Sequence, residues 1–342
     1  MACVVKQITD PKVWDSFVQS QVYTLFVQSS YYGKFYEQMG ERSMLFGIYE
    51  HDVLIGGTLA VTTHAKRGTF LYVPYGPLLP KGREEELLPI LIAHIVQFSK
   101  KEGVDFIRVS PFIEETDETK RLYKNNAFRD APIHVLAETT WLLDIQPTEE
   151  EILSHMNKNH RNLIRRCERE GVRVVQDTSS EALEDLNKLL NHTVKRHNFV
   201  RFSEAYIKNE FTIFAAEDKA SIFRAYLPDG TLDAAAIIMF YGNMACYRHS
   251  ASLGSNSKLP SSYLIQWRVI QEAKQRQMHW YNFWGIAPES APKHHPFRGI
   301  THFKKGFGGF QYNLLHCQDL PLNKKYWMNW GIETIRRIKR GF

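Results

Sequence analysis

The chain has 342 residues, 44% of them apolar and 23% charged, with a formal net charge of +6; this is the composition of a globular protein, at a length where two domains are expected. No stretch reaches the roughly 18 apolar residues of a membrane span, Met1 to Asp10 has no signal-peptide pattern, and Cys3, Cys167, Cys246 and Cys317 form no CxxC or Cys/His metal spacing. A reduced, cytoplasmic compartment is the expectation, and the surplus charge is a mild bias towards anionic partners such as tRNA, nucleotides or anionic lipid.

The first strongly patterned segment runs from Met44 to Leu79. It alternates as a strand, turns at His51-Asp52, alternates again, turns near Lys66-Arg67-Gly68 and returns as a third strand. An amphipathic helix over Glu84 to Glu102, a stop at Gly103 and a strand from Asp105 to Ser110 follow. Trp141 to Val175 begins as a strand and breaks at Pro147. A helix then opens at Thr148, a hydroxyl cap followed by the acids Glu149 to Glu151. It is predicted to carry Lys158, His160, Arg161, Arg165, Arg166, Arg169 and Arg173 with few acids. Such a face suits polyphosphate or an RNA backbone, or simply water at a domain junction.

Ser221 to Leu253 repeats the earlier grammar, with turns at Pro228-Asp229-Gly230 and Gly242-Asn243 between three strands. Tyr263 to Gln277 is again a helix, and Trp280 to Ile286 again a strand. The copies lie roughly 175 residues apart. A duplicated β-meander, helix and strand predicts an α+β fold of two similar domains.

This unit is similar to the GNAT acyltransferase fold. Acetyl-CoA users of that fold carry a Q/R-x-x-G-x-G/A turn whose backbone N–H groups hold pyrophosphate at a helix N-terminus. Neither meander is followed by one, and Gly306-Phe307-Gly308-Gly309 stands outside the strand–turn–helix context, so a CoA donor is disfavoured. The 14 histidines show no HExxH or His/Cys ligand spacing, and His294-His295 beside Pro296 reads as a loop.

Three segments carry a more specific likeness. FVQSSYYGKF (Phe26 to Phe35), TWLLDI with EEEILSHMNKNHRNLIRRCEREGV (Thr140 to Val172), and YNFWGIAPESAPKHHPFRGITHFKKGFGGF (Tyr281 to Phe310) occur in this order. They resemble the Q-S start, the W-x-L-D-L strand with its M-x-K-x-x-R helix, and the F-K-x-G-F-G-G segment of the FemABX family. That family comprises the aminoacyl-tRNA-dependent acyltransferases of the peptidoglycan interpeptide bridge, and the likeness covers most of the chain. It implies two tandem GNAT-like domains, expected at residues 1–145 and 146–316, with a C-terminal helix in 317–342 packing back on the first. No heptad-patterned insertion lies between Arg201 and Lys304, so the armless, FemX-like type is expected, without a coiled-coil arm. The resemblance also implies aminoacyl-tRNA as donor and co-substrate, with no resident cofactor or metal. The acceptor would be the stem-peptide side-chain amine of UDP-MurNAc-pentapeptide or lipid II. A monomer is expected, in the cytoplasm or at the inner face of the membrane.

Residue by residue, the resemblance assigns Lys34 and Arg201 to the precursor's diphosphate. It assigns Tyr263, and more loosely Tyr206, to the substrate groove. Phe303 and Lys304 fall at the donor site, where the Lys304 ammonium would stabilise the oxyanion formed as an amine attacks an ester. Lys305 competes for that role; on a strand the two lysines would face opposite sides. Ser110 stands where relatives often have an aspartate before a proline, so an Asp general base is not expected. In the tail, Trp327, Trp330, Ile335 and Ile338 recur at helical spacing beside Arg336, Arg337, Lys339 and Arg340. This reads either as a helix lying on an anionic membrane or as one packed on the first domain with its basic face in water. Two other functions stay open: N-acyl transfer to a small molecule from CoA or another acyl donor, and non-enzymatic binding of RNA or carbohydrate.

Overall fold

The computed structural model describes residues 3–65, 68–197, 201–291 and 297–340; Lys66-Arg67 and His294-His295 lie outside the described residues. The chain divides into two units. The first holds Met1–Gln21, Leu25–Glu138 and Asn313–Phe342, and the second holds Val22–Thr24 and Thr139–Tyr312. Each is built on one seven-stranded sheet.

In the first unit Arg42–Glu50, Val53–Ala65 and Gly68–Pro74 form the antiparallel meander. His51 and Asp52 both take positive φ in the first turn, as a tight two-residue hairpin requires. The helix Glu84–Lys101 then carries the chain back, so that Phe106–Ser110 lies parallel to Gly68–Pro74. Three glutamates open that helix and two lysines close it, which complements its dipole. Its Leu87, Leu88, Leu91 and Ile95 share one core with Phe46, Ile48, Leu71, Val73 and Ile107.

The second unit repeats the arrangement. Ala220–Tyr226, Leu232–Tyr241 and Met244–Ser252 form the meander, Ser261–Gln275 is the helix, and Trp280–Gly285 runs parallel to the third strand. Leu264, Ile265, Val269 and Ala273 of that helix enter a core with Phe223, Ile238, Phe240 and Phe283. The duplicated α+β unit is present in both halves. Among the described residues no helix is longer than the 18 residues of Glu84–Lys101 and Ser180–His197, so no helical arm interrupts the second unit there. None is long and apolar enough to cross a membrane.

The next position in each sheet is filled from different places in the chain. In the first unit it is Gln318–Pro321, antiparallel to Phe106–Ser110. In the second it is Thr139–Asp144, antiparallel to Trp280–Gly285. The expected boundary after residue 145 therefore shifts to follow Glu138. Pairing is the physical reason: the backbone groups of Thr139–Asp144 find their partners on the 280–285 strand, and Trp141, Leu143 and Ile145 enter the second core.

Arg108 ties the C-terminal segment into the first unit. Its guanidinium donates to Asp319 at 2.7 and 2.8 Å and to Glu333 at 3.1 and 2.7 Å. Asp319 is on the returning strand, and Glu333 is on the helix Lys325–Arg340. Tyr326 of that helix packs edge-on to Phe106 with ring centres 5.3 Å apart.

Candidate functional site

The two parallel strand pairs are not equivalent. In the first unit, five residues of Gly68–Pro74 pair with five of Phe106–Ser110. In the second unit, only Met244–Cys246 pairs with Trp280–Asn282. Just past that pairing, each strand is irregular against its other neighbour, Leu232–Tyr241 on one side and Thr139–Asp144 on the other. Arg248 is an extra residue in its strand, because Tyr247 pairs with Ile238 and His249 with Ile237. On the facing strand the register slips between Asn282 and Gly285, and Trp284 takes φ of 66°. Left-handed backbone is costly for an aromatic residue and persists where surrounding structure holds it; here the Trp284 N–H donates to the Asn282 side chain at 2.8 Å. Bulges of this kind re-aim side chains beside functional sites.

Lys304 reaches both strands where their pairing has ended. Its Nζ donates to the Gly285 carbonyl at 2.7 Å on one strand and lies 5.8 Å from the centre of the Tyr247 ring on the other. The side chain is buried, and among the described residues no carboxylate forms an ion pair with it. Burial disfavours its charged form and brings its pKa down to about 7.

Aromatic packing fixes the helix that carries it, Arg298–Lys305. Phe303 meets Tyr263 and Phe307 edge-on, at 4.9 and 5.2 Å between ring centres. The Phe303 carbonyl accepts from His160 Nε2 at 2.9 Å, and the His160 ring contacts Tyr263 and Phe307 at 4.8 and 4.9 Å. Burial lowers the His160 pKa, so this imidazole is neutral, with its proton on the nitrogen facing the carbonyl.

The glycine-rich run that follows is a packing device. A Cβ on Gly306 would sit 1.9 Å from His160 Cε1, and one on Gly309 would sit 2.2 Å from the Leu142 carbonyl oxygen. Gly306→Ala must therefore push the imidazole out of the aromatic cluster. The expected loss is about 1–3 kcal/mol, read as a lower thermal midpoint of the full chain; a midpoint equal to wild type would contradict this packing.

Beside Phe303 and Tyr247 lies a cavity of about 430 Å³ within the second unit. Tyr263, Ile300 and the hydroxyl-bearing Thr193, Ser250, Ser252, Ser257 and Ser262 also line it. Asp233 shapes its floor. That carboxylate is buried and accepts from the Ser255 N–H and hydroxyl at 3.1 and 2.6 Å and from the Ser261 hydroxyl at 2.6 Å.

The expected site residues separate into groups. Phe303 and Tyr263 line the cavity, and Lys304 lies against Tyr247, which lines it too. Lys305 does not join them: its Nζ donates to Gln311 at 3.1 Å and lies 5.1 Å from the Trp141 ring centre. The two lysines sit on a helix, not a strand, and the 100° step between neighbours turns them to different surroundings. Arg201 is already engaged, bonded to Glu204 at 2.8 Å and to the Asn187 carbonyl at 3.3 Å. Tyr206 stacks on Phe202 at 4.4 Å, and its hydroxyl accepts from Arg248 at 3.4 Å. Lys34 is exposed on the helix Ser30–Gln38 of the first unit, 5.4 Å from the Tyr31 ring centre. Ser110 is buried between the Tyr72 hydroxyl and Cys317 Sγ, at 3.3 and 3.5 Å.

The predicted continuous basic helix is corrected. It breaks at Met156-Asn157 into Glu149–His155 and Lys158–Arg169, and Arg173 begins a strand. Arg161 turns back to cap the first piece, donating to the Ser154 carbonyl at 2.9 Å. His160 is buried, whereas Lys158, Arg165, Arg166 and Arg169 are exposed.

Other contributors carry no motif. Arg248, the extra residue, is bonded to the fully buried Glu210 at 2.9 Å, and His249 reaches the same carboxylate at 2.8 Å. Burial alone would raise the Glu210 pKa; the two neighbours overcome it and hold it at about 2. Gln28, in the N-terminal motif, is a brace: its Oε1 accepts from the Leu59 N–H at 2.8 Å, and its Nε2 donates to the Pro74 carbonyl at 2.5 Å.

The FemAB family model matches residues 9–141, 128–230 and 228–333. The chain belongs to the FemAB family. Solved structures agree on the fold. FemX superposes with a TM-score of 0.85 at 16% identity, covering 97% of this chain and 100% of FemX. A tandem GNAT protein from the clavulanic acid biosynthesis pathway gives 0.60 at 9% identity, covering 94% and 99% of the two chains. L-PGS from Bacillus licheniformis gives 0.57 at 15% identity, covering 95% and 96%. The architecture is thus two tandem GNAT-like domains. No curated protein sequence matches the chain significantly. At the level of the FemAB family, this is a transferase of the peptidoglycan cross-bridge class.

Proposed function

We propose that this protein moves an aminoacyl group from aminoacyl-tRNA to the stem-peptide side-chain amine of a peptidoglycan precursor. The observation that carries the reading is Lys304, buried where two strands stop pairing with each other and against Tyr247, which lines a cavity with room for the donor's aminoacyl end. The acceptor amine, in its neutral form, attacks the ester carbonyl. A C–N bond forms, the ester C–O bond to the terminal ribose breaks, and one proton must pass from the amine to the departing hydroxyl. A lysine with a pKa of about 7 suits that relay: its neutral form takes the proton, and its charged form returns it. This differs from the fixed ammonium expected above, because burial brings the neutral form of Lys304 within reach near pH 7.

Phe303 and Tyr263 would wall the donor site, and the hydroxyls of Ser250, Ser252 and Ser262 offer polar partners to an amino acid. The lack of a pyrophosphate-binding glycine turn argues for an aminoacyl ester over CoA. Lys34 on the first unit is proposed as a phosphate contact for the precursor, and Arg201 on the second is proposed separately as an anion contact that would exchange the exposed Glu204 for phosphate. Lys34→Ala is then expected to raise the acceptor KM about tenfold at unchanged kcat, the pattern of a lost ground-state contact; steady-state kinetics with varied acceptor would show it. No resident cofactor or metal is proposed, and the reaction would run in the cytoplasm or at the inner membrane face, where charged tRNA is found.

The test is direct transfer. The purified protein is mixed with total tRNA charged with labelled amino acids and with either UDP-MurNAc-pentapeptide or lipid II. Label appearing on one acceptor supports the reading and identifies acceptor and amino acid together. A folded protein that moves no label to either acceptor contradicts it.

A further inference from the structure

In the helix Lys325–Arg340 the usual amphipathic order is inverted. Its polar residues Asn329 and Glu333 are buried together with Tyr326, and Glu333 is clamped by Arg108. Its large apolar residues face outward: Trp327, Met328, Ile335 and Ile338 are 48%, 55%, 55% and 71% exposed. At 100° per residue these four fall within one arc, about 100° wide, of the helix surface. Monomeric proteins normally scatter exposed apolar side chains, and a continuous row of them marks a contact surface.

Charge identifies the partner. Lys324 and Lys325 stand at one end of the row, and Arg336, Arg337 and Lys339 at the other; all five are exposed. Among the described residues none of the five forms an ion pair with an acid, and the helix's own acid, Glu333, points inward. Arg129 adds a guanidinium 4.5 Å from the Trp327 ring centre. An apolar row edged by cations, with tryptophan at one end, matches the boundary between acyl chains and anionic headgroups. The helix is too polar to cross a bilayer, so it would lie in the plane of the surface.

We infer that this face seats the first unit on an anionic phospholipid bilayer. The clamp through Arg108 and Glu333 makes the helix a fixed part of the unit, so the whole unit would dock with it. The inference does not rest on the transfer reading, although a docked protein would meet a lipid-linked acceptor at the surface where that acceptor resides.

The test uses the full chain and phosphatidylcholine vesicles, with or without phosphatidylglycerol and free of any precursor. Co-sedimentation is expected only with the anionic vesicles and is expected to weaken as salt rises. Ile335→Glu combined with Ile338→Glu is expected to weaken it roughly tenfold or more. The thermal midpoint should not move, because both side chains are already in solvent. Equal sedimentation of variant and wild type, or none of the wild type with anionic vesicles, overturns the inference. So does a wild-type dimer in light scattering that the same substitutions dissociate, which would assign the face to a second copy of the chain.

Discussion

Lys304→Met is expected to reduce the turnover number of aminoacyl transfer roughly 10²–10⁴-fold, the range for losing a positioned acid–base group. The acceptor KM should stay near that of wild type, since Lys304 is not proposed to hold the precursor. The wild-type rate is expected to rise with pH through about 7, as the buried amine loses its proton, and the variant's residual rate should lack that step. The neutral fraction of the acceptor amine itself rises with pH in this range. Once initial rates are divided by that fraction, a fixed-ammonium role predicts a fall through about 7 where the relay predicts a rise, and this separates the two mechanisms. The same substitution is expected to stabilise the fold at pH 7 by roughly 1–3 kcal/mol, since burying a charged or poorly partnered polar group is costly. The pH dependence of that gain has a definite sign. Unfolded, the lysine holds its proton until above pH 10; folded, it releases it near 7. The unfolded chain therefore binds more protons between those values, and wild-type stability rises across that window. The advantage of methionine should be largest at and below pH 7 and shrink towards pH 10. An inactive variant that is also less stable at pH 7 would point to a packing role instead.

Arg108→Met is expected to cost about 3–5 kcal/mol, the usual penalty for stranding buried charges. Asp319 has no exposed side-chain surface, Glu333 has 11%, and both depend on this guanidinium. Burial already raises the Asp319 pKa, with Arg108 opposing that shift; without Arg108 the carboxyl is expected to take up a proton more readily. The loss should centre on the strand Gln318–Pro321 and the helix Lys325–Arg340, seen as a lower urea midpoint and faster proteolysis after residue 313. Replacing all three partners, as Arg108→Met with Asp319→Leu and Glu333→Leu, should recover much of the loss, because no charge is then left buried. A single variant within about 0.5 kcal/mol of wild type, the range of ordinary surface changes, would contradict the clamp.

How far the chain could be read in advance follows from the range of the forces involved. The two meanders, their helices and the parallel strands are written in local periodicity, and turns such as His51-Asp52 announce themselves by residue type. The sheet that claims Thr139–Asp144 is not local: its partner strand begins at Trp280, far along the chain. The same limit hid the place where the two strands stop pairing with each other. It is marked by one extra residue at Arg248 and by a left-handed Trp284, and neither leaves a motif. The F-K-K-G-F-G-G segment was visible, but not that it ends a helix, so separating Lys304 from Lys305 required the helical turn. His160 was missed for an avoidable reason. Grouped with its basic neighbours it looks solvated, yet His160, Ile164 and Cys167 share one face at i, i+4 and i+7, and all three are buried. Likewise, the apolar row of the C-terminal helix was legible as a row; its outward orientation was not, because it depends on Glu333 meeting Arg108 from a distant strand.

The central claim is that the place where two strands of the second unit stop pairing with each other, marked by Lys304, receives the aminoacyl end of the donor. Hydrogen exchange of the full chain would test it most directly, with and without a non-hydrolysable acceptor-stem RNA carrying an amide-linked amino acid. The account predicts slowed exchange in the backbone around Tyr247 to Tyr263 and around Arg298 to Phe307, with the paired strands Gly68–Pro74 and Phe106–Ser110 of the first unit unchanged. Protection confined to the first unit, or none around Lys304 when the RNA is bound, would contradict it.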